Sequence, residues 1–501
     1  MKYKALVIFI LCLISFTVLR CQHNHTEWHF GYAGLKSEKF GLSSLIFNEE
    51  GVDTAYVLSP DYELGISGSV YNTLSDGKVA LSSNGCHIFE KDGNIISGGR
   101  FIFEDITSSQ YCVNYRYPNF EGNIFLPSLN GDSTVVFIAV NNIVTGLPYI
   151  VISDTMAMYT LMRNWENDDY EITDRKTIFL GNTEPGRLST IIAADSISYW
   201  VSSYNLEHDE LVVYRIDGDG NMLEEVRTAT DEMVYINASF QTAFAAAGDR
   251  FATVFEYEGL RIYDFNRATG QFSNLRTYPL PDSSVNTRGV IFSPNGRYVY
   301  TTFSTKLYQT DVVTGHSILI ARHENARDET GWPIAMGNMR VGPDCRIYVG
   351  PSATTDYFHV IHSPDEEGLA CDFQFRAIRT PTWVSFQLPN VPMTLDPAKC
   401  RDLPWILSPP VSNGPPPAPQ LAVRVFPNPA REVVRLAWPR DVRAGSYRWR
   451  LYSMDGRLLR DYAVTNEAEL RIDRQGLPPE SYVWELTQDG IRAATGLLVL
   501  R

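Results

Sequence analysis

From Trp28 to about Pro397, apolar and polar residues alternate in short runs broken by Gly, Asp and Asn. That is the pattern of half-buried strands joined by tight turns, and few stretches carry the period of a helix. The clearest copies are "AFAAAGDRFATVF" (243–255), "GVIFSPNGRYVYTTF" (289–303) and "NMRVGPDCRIYVG" (338–350), each a turn set between two alternating strands. Two copies continue into a further strand and bend, "LRIYDFNRATGQF" from 260 and "KLYQTDVVTGHSILI" from 306, and weaker copies stand at 189–203 and 88–99. Recurrence at roughly fifty residues predicts four-stranded blades of a β-propeller, about seven of them, with six or eight also compatible. One such sheet cannot bury both of its faces, whereas sheets packed in a ring bury them against each other. A β-sandwich or β-helix with unrelated hairpins is the competing reading.

The pattern stops at "CRDLPWILSPPVSNGPPPAPQ", a stretch suited to an extended, polyproline-like spacer. Short strands then resume to the C-terminus, with turns at Asp455-Gly456 and Asp489-Gly490, as in a small Ig-like antiparallel sandwich. Residues 422–501 hold thirteen Arg against ten acidic residues and no Lys, in a chain whose overall formal charge is −15. The predicted organisation is therefore a leader at 1–21, a propeller at 22–398, a linker at 399–421 and a C-terminal domain at 422–501.

The leader has Lys2 and Lys4 before the apolar run from Ala5 to Leu19. This run is short for a bilayer span and reads as a secretory signal peptide, leaving no transmembrane span in the mature chain. Arg20 before Cys21 argues against a lipid-modified cysteine. An exported chain permits disulfides, and Cys86 with Cys112 and Cys345 with Cys371 are spaced so that neighbouring strands bring each pair together. Connectivity does not follow from spacing, and buried free thiols are an equal alternative. The acidic balance argues against a nucleic-acid partner, which needs a basic face.

The tail also resembles a known family, the type A C-terminal sorting domain of cargo proteins of the type IX secretion system of Bacteroidota. The resemblance is carried by Val423, Val425, Phe426, Pro427, Asn428 and Pro429, then Leu451, Tyr452, Gly456 and Arg457, then Leu477, Pro478 and Tyr482, and finally Gly496, Leu498, Val499, Leu500 and Arg501. Glu480 and Leu497 depart from it, standing where that family usually has Gly and Lys. The resemblance implies the type IX machinery as partner and a secreted or outer-surface location. The larger segment bears a fainter resemblance to secreted, propeller-like Bacteroidota proteins, through Trp28, Phe30, Gly31, Ala33, Gly34 and Leu35, through Gly85, Cys86, Asp92, Gly93 and Asn94, and through a closing Leu388-Pro389-Asn390. It implies fold and compartment and no particular reaction.

Candidate chemistry is sparse. Asp217, Asp219 and Asn221 alternate as calcium-loop ligands do, but Met222 and Thr228 replace the Gly and Glu of an EF-hand, so a hairpin turn explains them as well. His23, His25 and His29 read as surface histidines near a free end, and His359 and His362 bracket one strand, as loop or channel residues. GxSxG, HExxH and Walker patterns are absent. The expectation is a propeller that binds a protein or glycan and needs no cofactor, with calcium as the one candidate. The alternative is a secreted hydrolase or lyase acting in the channel, and a structural role in an extracellular matrix is a third reading.

Overall fold

The computed structural model describes residues 26–32, 41–48, 51–58, 64, 68–104, 112, 121–129, 131–145, 150–183, 187–230, 241–255, 259–279, 287–324, 326–327, 331, 333–351, 355–384, 388–393, 400, 424–426, 430, 433–437, 447–453, 458–464, 469–474, 476–479, 481–488 and 491–500. The chain divides into two units, Met1–Ser412 and Asn413–Arg501. The signal-peptide region and most of the Pro-rich linker lie outside the described residues.

Among the described residues the first unit is an all-β propeller whose strands fall into seven successive antiparallel meanders, at 27–58, 69–100, 123–183, 189–229, 243–278, 287–322 and 336–384, numbered here blades 1 to 7; single bridges, Glu171 beside Ser97 and Thr183 beside Asn205, join blades 2, 3 and 4 into one twelve-stranded sheet. Blade 1 has three strands and the others four, each a meander in chain order. Alternation sets the packing. The second strands of blades 4 and 6, Ser198–Asn205 and Tyr298–Phe303, are buried along their whole length, because both faces meet neighbouring blades.

Tight turns join first to second strands in a shared form. Ser293 N–H bonds Tyr298 O and Gly296 N–H bonds Ser293 O, and the same pair of bonds recurs at Ala245/Arg250/Gly248 and Ala193/Ser198/Ser196. The residue three beyond the turn's start has a positive φ, +72° at Gly296 and +71° at Gly248, which glycine adopts freely. Ser196 and Cys345 take the same slot at +61° and +63°.

The ring closes without strand exchange between its ends. Blade 1 packs on blade 7 through edge-on rings, Trp28 (5.5 Å) and Phe47 (5.3 Å) against Tyr348, and Phe30 against Phe358 (4.8 Å). Ser43 and Thr382 hydroxyls meet at 2.7 Å in the same interface. On its other side blade 1 reaches blade 2, where Asn72 Nδ2 donates to Glu27 O at 2.8 Å and Leu42 packs with Val70 and Val79.

The second unit is a sandwich of a three-stranded sheet, Arg424–Phe426, Val433–Ala437 and Glu469–Asp473, and a four-stranded sheet ordered Leu458–Val464, Tyr447–Ser453, Ser481–Gln488, Ile491–Val499. Trp449, Leu451 and Leu486 are fully buried between them, with Val434, Ile472 and Leu498. Ala430 bridges Leu500, so the last residues belong to this fold.

Candidate functional site

In a propeller the first strands of the blades surround the axis, and polar groups converging there are the natural place to seek a site. Here they converge on the chain itself. Residues 388–393 follow blade 7 and run parallel to the first strands of blades 2 and 4, with Asn390 beside Ser69 and Met393 beside Ile191. Asn390 N–H donates to Gly68 O (2.8 Å), and its side-chain Nδ2 donates to Asn123 O (3.1 Å) and Leu188 O (3.0 Å). One residue, through its backbone and its amide side chain, thus ties blades 2, 3 and 4. From blade 7, Asn338 exchanges bonds with Leu388 backbone N–H (3.0 Å) and O (3.2 Å), and Arg340 donates to Pro389 O (3.1 Å) and Asn390 Oδ1 (2.9 Å).

Arg340 also meets Glu121, ahead of blade 3, with Nη2 to Oε1 at 2.8 Å, and both side chains are buried. Burial pushes the Glu121 carboxyl up, while Arg340 and the Asn338 amide pull it back. Gln241 completes the ring between blades 5, 6 and 7, accepting from Val290 N–H (3.3 Å) and Met339 N–H (2.9 Å) and donating to Met339 O (2.6 Å).

The parallel direction carries the chain through the ring toward the face of the tight turns. There Cys400 is bonded to Cys345, in the first turn of blade 7. The spacing-based pairing of Cys345 with Cys371 is corrected accordingly. Cys371 sits on the turn between third and fourth strands and packs inward with Val299, Tyr300 and Ile361, so it is a buried free thiol, pushed up to about 11 chiefly by burial. Cys400, assigned to the linker by composition, is held by the first unit. Cys86 is bonded to Cys112.

Asp217 works within its own turn. One oxygen accepts from Asp219 N–H (3.0 Å) and Asn221 N–H (2.8 Å), and the other accepts from Asn221 Nδ2 (3.0 Å). Among the described residues no three His, Cys, Asp or Glu side chains gather as metal ligands would.

Two histidine expectations change. His29 is a buried member of the first strand, its Nε2 3.2 Å from Glu27 Oε1, rather than a surface residue. His359 is fully buried in the third strand of blade 7, off the axis. Its Nδ1 accepts from Arg376 N–H at 3.0 Å, and Phe375 lies stacked between His359 (4.5 Å) and His323 (3.8 Å). His23 and His25 lie outside the described residues.

Of the tail motif, Val425 and Phe426 lie on an edge strand paired with Leu436 and Arg435, and Gly496 stands opposite Trp484. Pro427, Asn428, Pro429 and Gly456 lie outside the described residues.

No family model and no curated protein matches the chain. Among solved structures it is similar to a protein from Lactobacillus plantarum (12% identity, 73% of this chain and 99% of that chain, TM-score 0.41). It is also similar to the periplasmic gluconolactonase PpgL of Pseudomonas aeruginosa (9%, 95% and 99%, 0.38) and to the Swd1 β-propeller domain of Myceliophteria thermophila (13%, 62% and 82%, 0.28). At these identities and TM-scores the likenesses bring no substrate or role to this chain.

Proposed function

We propose that the protein is a secreted or cell-surface binding protein, a propeller that engages a protein or glycan and is exported by the type IX route with the C-terminal sandwich as its sorting domain. The observation that supports a binding module is the threaded axis. Asn338 and Arg340 bond residues 388–390, Arg340 also takes up Glu121, and Asn390 bonds Asn123 O, so recognition falls to the faces and rim of the ring. The two bonded cysteine pairs fit an oxidising compartment. The tail motif supports the route.

The test has two arms. A chain ended after Gln420 is expected to stay inside the outer membrane while the intact chain reaches the surface or medium; equal delivery of both overturns the sorting role. The purified protein is expected to retain a ligand on protein or glycan arrays, and turnover on a hydrolase panel with no retained ligand overturns the binding role.

A further inference from the structure

We infer that the hairpin turn at the end of blade 3 is a carbohydrate-stacking site centred on Trp165. The inference rests on reading the propeller as a binding module and narrows its ligand to a glycan.

The three later strands of blade 3, Thr134–Thr145, Ile150–Asn164 and Asp169–Thr183, run 12 to 15 residues, against five for its first strand, Asn123–Pro127. Trp165 lies in the turn between the last two and is 64% exposed, whereas Trp28, Trp200 and Trp449 are fully buried. A tryptophan displayed on a turn is an unusual use of the chain's largest apolar side chain.

It is also held in place. The Arg163 guanidinium carbon lies 4.3 Å from the indole centroid and covers one face. Asp168 Oδ1 accepts from Arg163 Nε at 2.8 Å and from its Nη2, and Lys91 of blade 2 holds the other Asp168 oxygen at 3.3 Å. Asn164 Oδ1 caps Glu166 N–H at 3.0 Å, and Arg163 N–H reaches Ser133 O at 2.9 Å. The indole is pre-ordered, so binding need not first fix it.

The surroundings select the ligand. Trp165 is followed by Glu166, Asn167 and Asp168, all exposed, with Lys91 paired to Asp168, a polar turn rather than the depleted-charge core of a protein interface. The electron-rich indole face attracts the polarised C–H groups of a ring. A pyranose offers such a face, with hydroxyls at its edge to meet carboxylate and amide groups. The charges at the turn, Glu166 and Asp168 with Lys91 and Arg163, are mixed and offer no basic face for nucleic acid.

The experiment is affinity electrophoresis and pull-down of the full chain with cellulose, chitin, xylan, mannan and pectin, repeated with Trp165→Ala and Trp165→Phe. Thermal melts verify that both variants fold. The expected result is retention of the natural protein by at least one polysaccharide, a roughly tenfold or greater loss with Trp165→Ala and partial retention with Trp165→Phe. Binding unchanged in Trp165→Ala overturns the site and leaves the binding role standing. A protein ligand on arrays with no polysaccharide retained overturns the choice of sugar alone, and no ligand of either class overturns both.

Discussion

Arg340 Nη2 donates to Glu121 Oε1 over 2.8 Å in the middle of the ring, joining residues 219 positions apart in the chain. Both charges are buried, and Arg340 also donates from Nε to Pro389 O, from Nη1 to Met339 O and from Nη2 to Asn390 Oδ1. Breaking such a pair from one side leaves the other charge without compensation, which costs about 3–5 kcal/mol. Arg340→Met should therefore lower unfolding free energy by about that amount in urea titration. Glu121→Gln keeps an acceptor for the guanidinium but removes its counter-charge, and should cost about 3 kcal/mol. An Arg340→Met protein as stable as the natural one would remove the pair from the closure of the ring.

The bond between Cys345 and Cys400 closes a 55-residue separation and pins the threaded segment after it leaves the axis. Peptide mapping without reduction should recover Cys345 joined to Cys400 and Cys371 as a free thiol. Replacing Cys400 with Ser should cost about 2–4 kcal/mol through the freed unfolded chain. Cys345 takes the left-handed turn slot that Gly248 and Gly296 fill in blades 5 and 6, so Cys345→Gly in the Cys400→Ser background should regain about 1 kcal/mol. Recovery of a Cys345–Cys371 peptide would reverse the assignment.

The blades were legible because alternation and turn chemistry are local. "SPNGRY" carries its Gly296 in the slot that needs a positive φ, and the repeat of that slot predicts the hairpins. The role of Leu388-Pro389-Asn390 was visible only as three residues of a faint resemblance, since its bonds go to Gly68, Asn123, Leu188 and Arg340, all distant in sequence. The cysteine partner failed for a related reason. Spacing favours strands that neighbour each other within a sheet, whereas Cys400 returns to blade 7 after threading the ring. Trp165 gives no signal in the sequence because a lone aromatic in a polar turn has no periodicity, and its exposure and its Arg163 partner are properties of the fold.

Threading predicts where the first unit can be shortened. A chain ended after Ser412 keeps residues 388–393 and Cys400, and should unfold cooperatively near the temperature of the same unit in the full chain. Ending it after Ser385 removes the donors and acceptors that satisfy Asn123 O, Leu188 O, Asn338 and Arg340. Several buried polar groups then lose partners at about 1–3 kcal/mol each, comparable with the whole stability of a domain. The shorter chain should be insoluble or protease-sensitive. A compact, cooperatively melting product ending at Ser385 would refute the role given to the segment.

The stack of His323, Phe375 and His359 sets a pH dependence. Burial pushes His359 down to about 3, assisted by His323 and Arg376, and pushes His323 down to about 4, assisted by Arg376. His87 of blade 2 is likewise lowered to about 4, by burial and then Arg100. The native fold keeps these rings neutral, while in the unfolded chain they take up protons near the ordinary value of about 6.5. Between about pH 6.5 and 4 the unfolded state therefore binds more protons, so stability is full above that window and is lost as pH falls through it. Each ring should contribute roughly 2 kcal/mol to the loss between neutral pH and about pH 4.5. Phe in place of His323 preserves the stacked ring at 3.8 Å without a titrating group. Urea titrations at the two pH values should show His323→Phe losing roughly 2 kcal/mol less than the natural protein on acidification. Equal acid losses in the two proteins would mean that His323 is not held neutral in the fold.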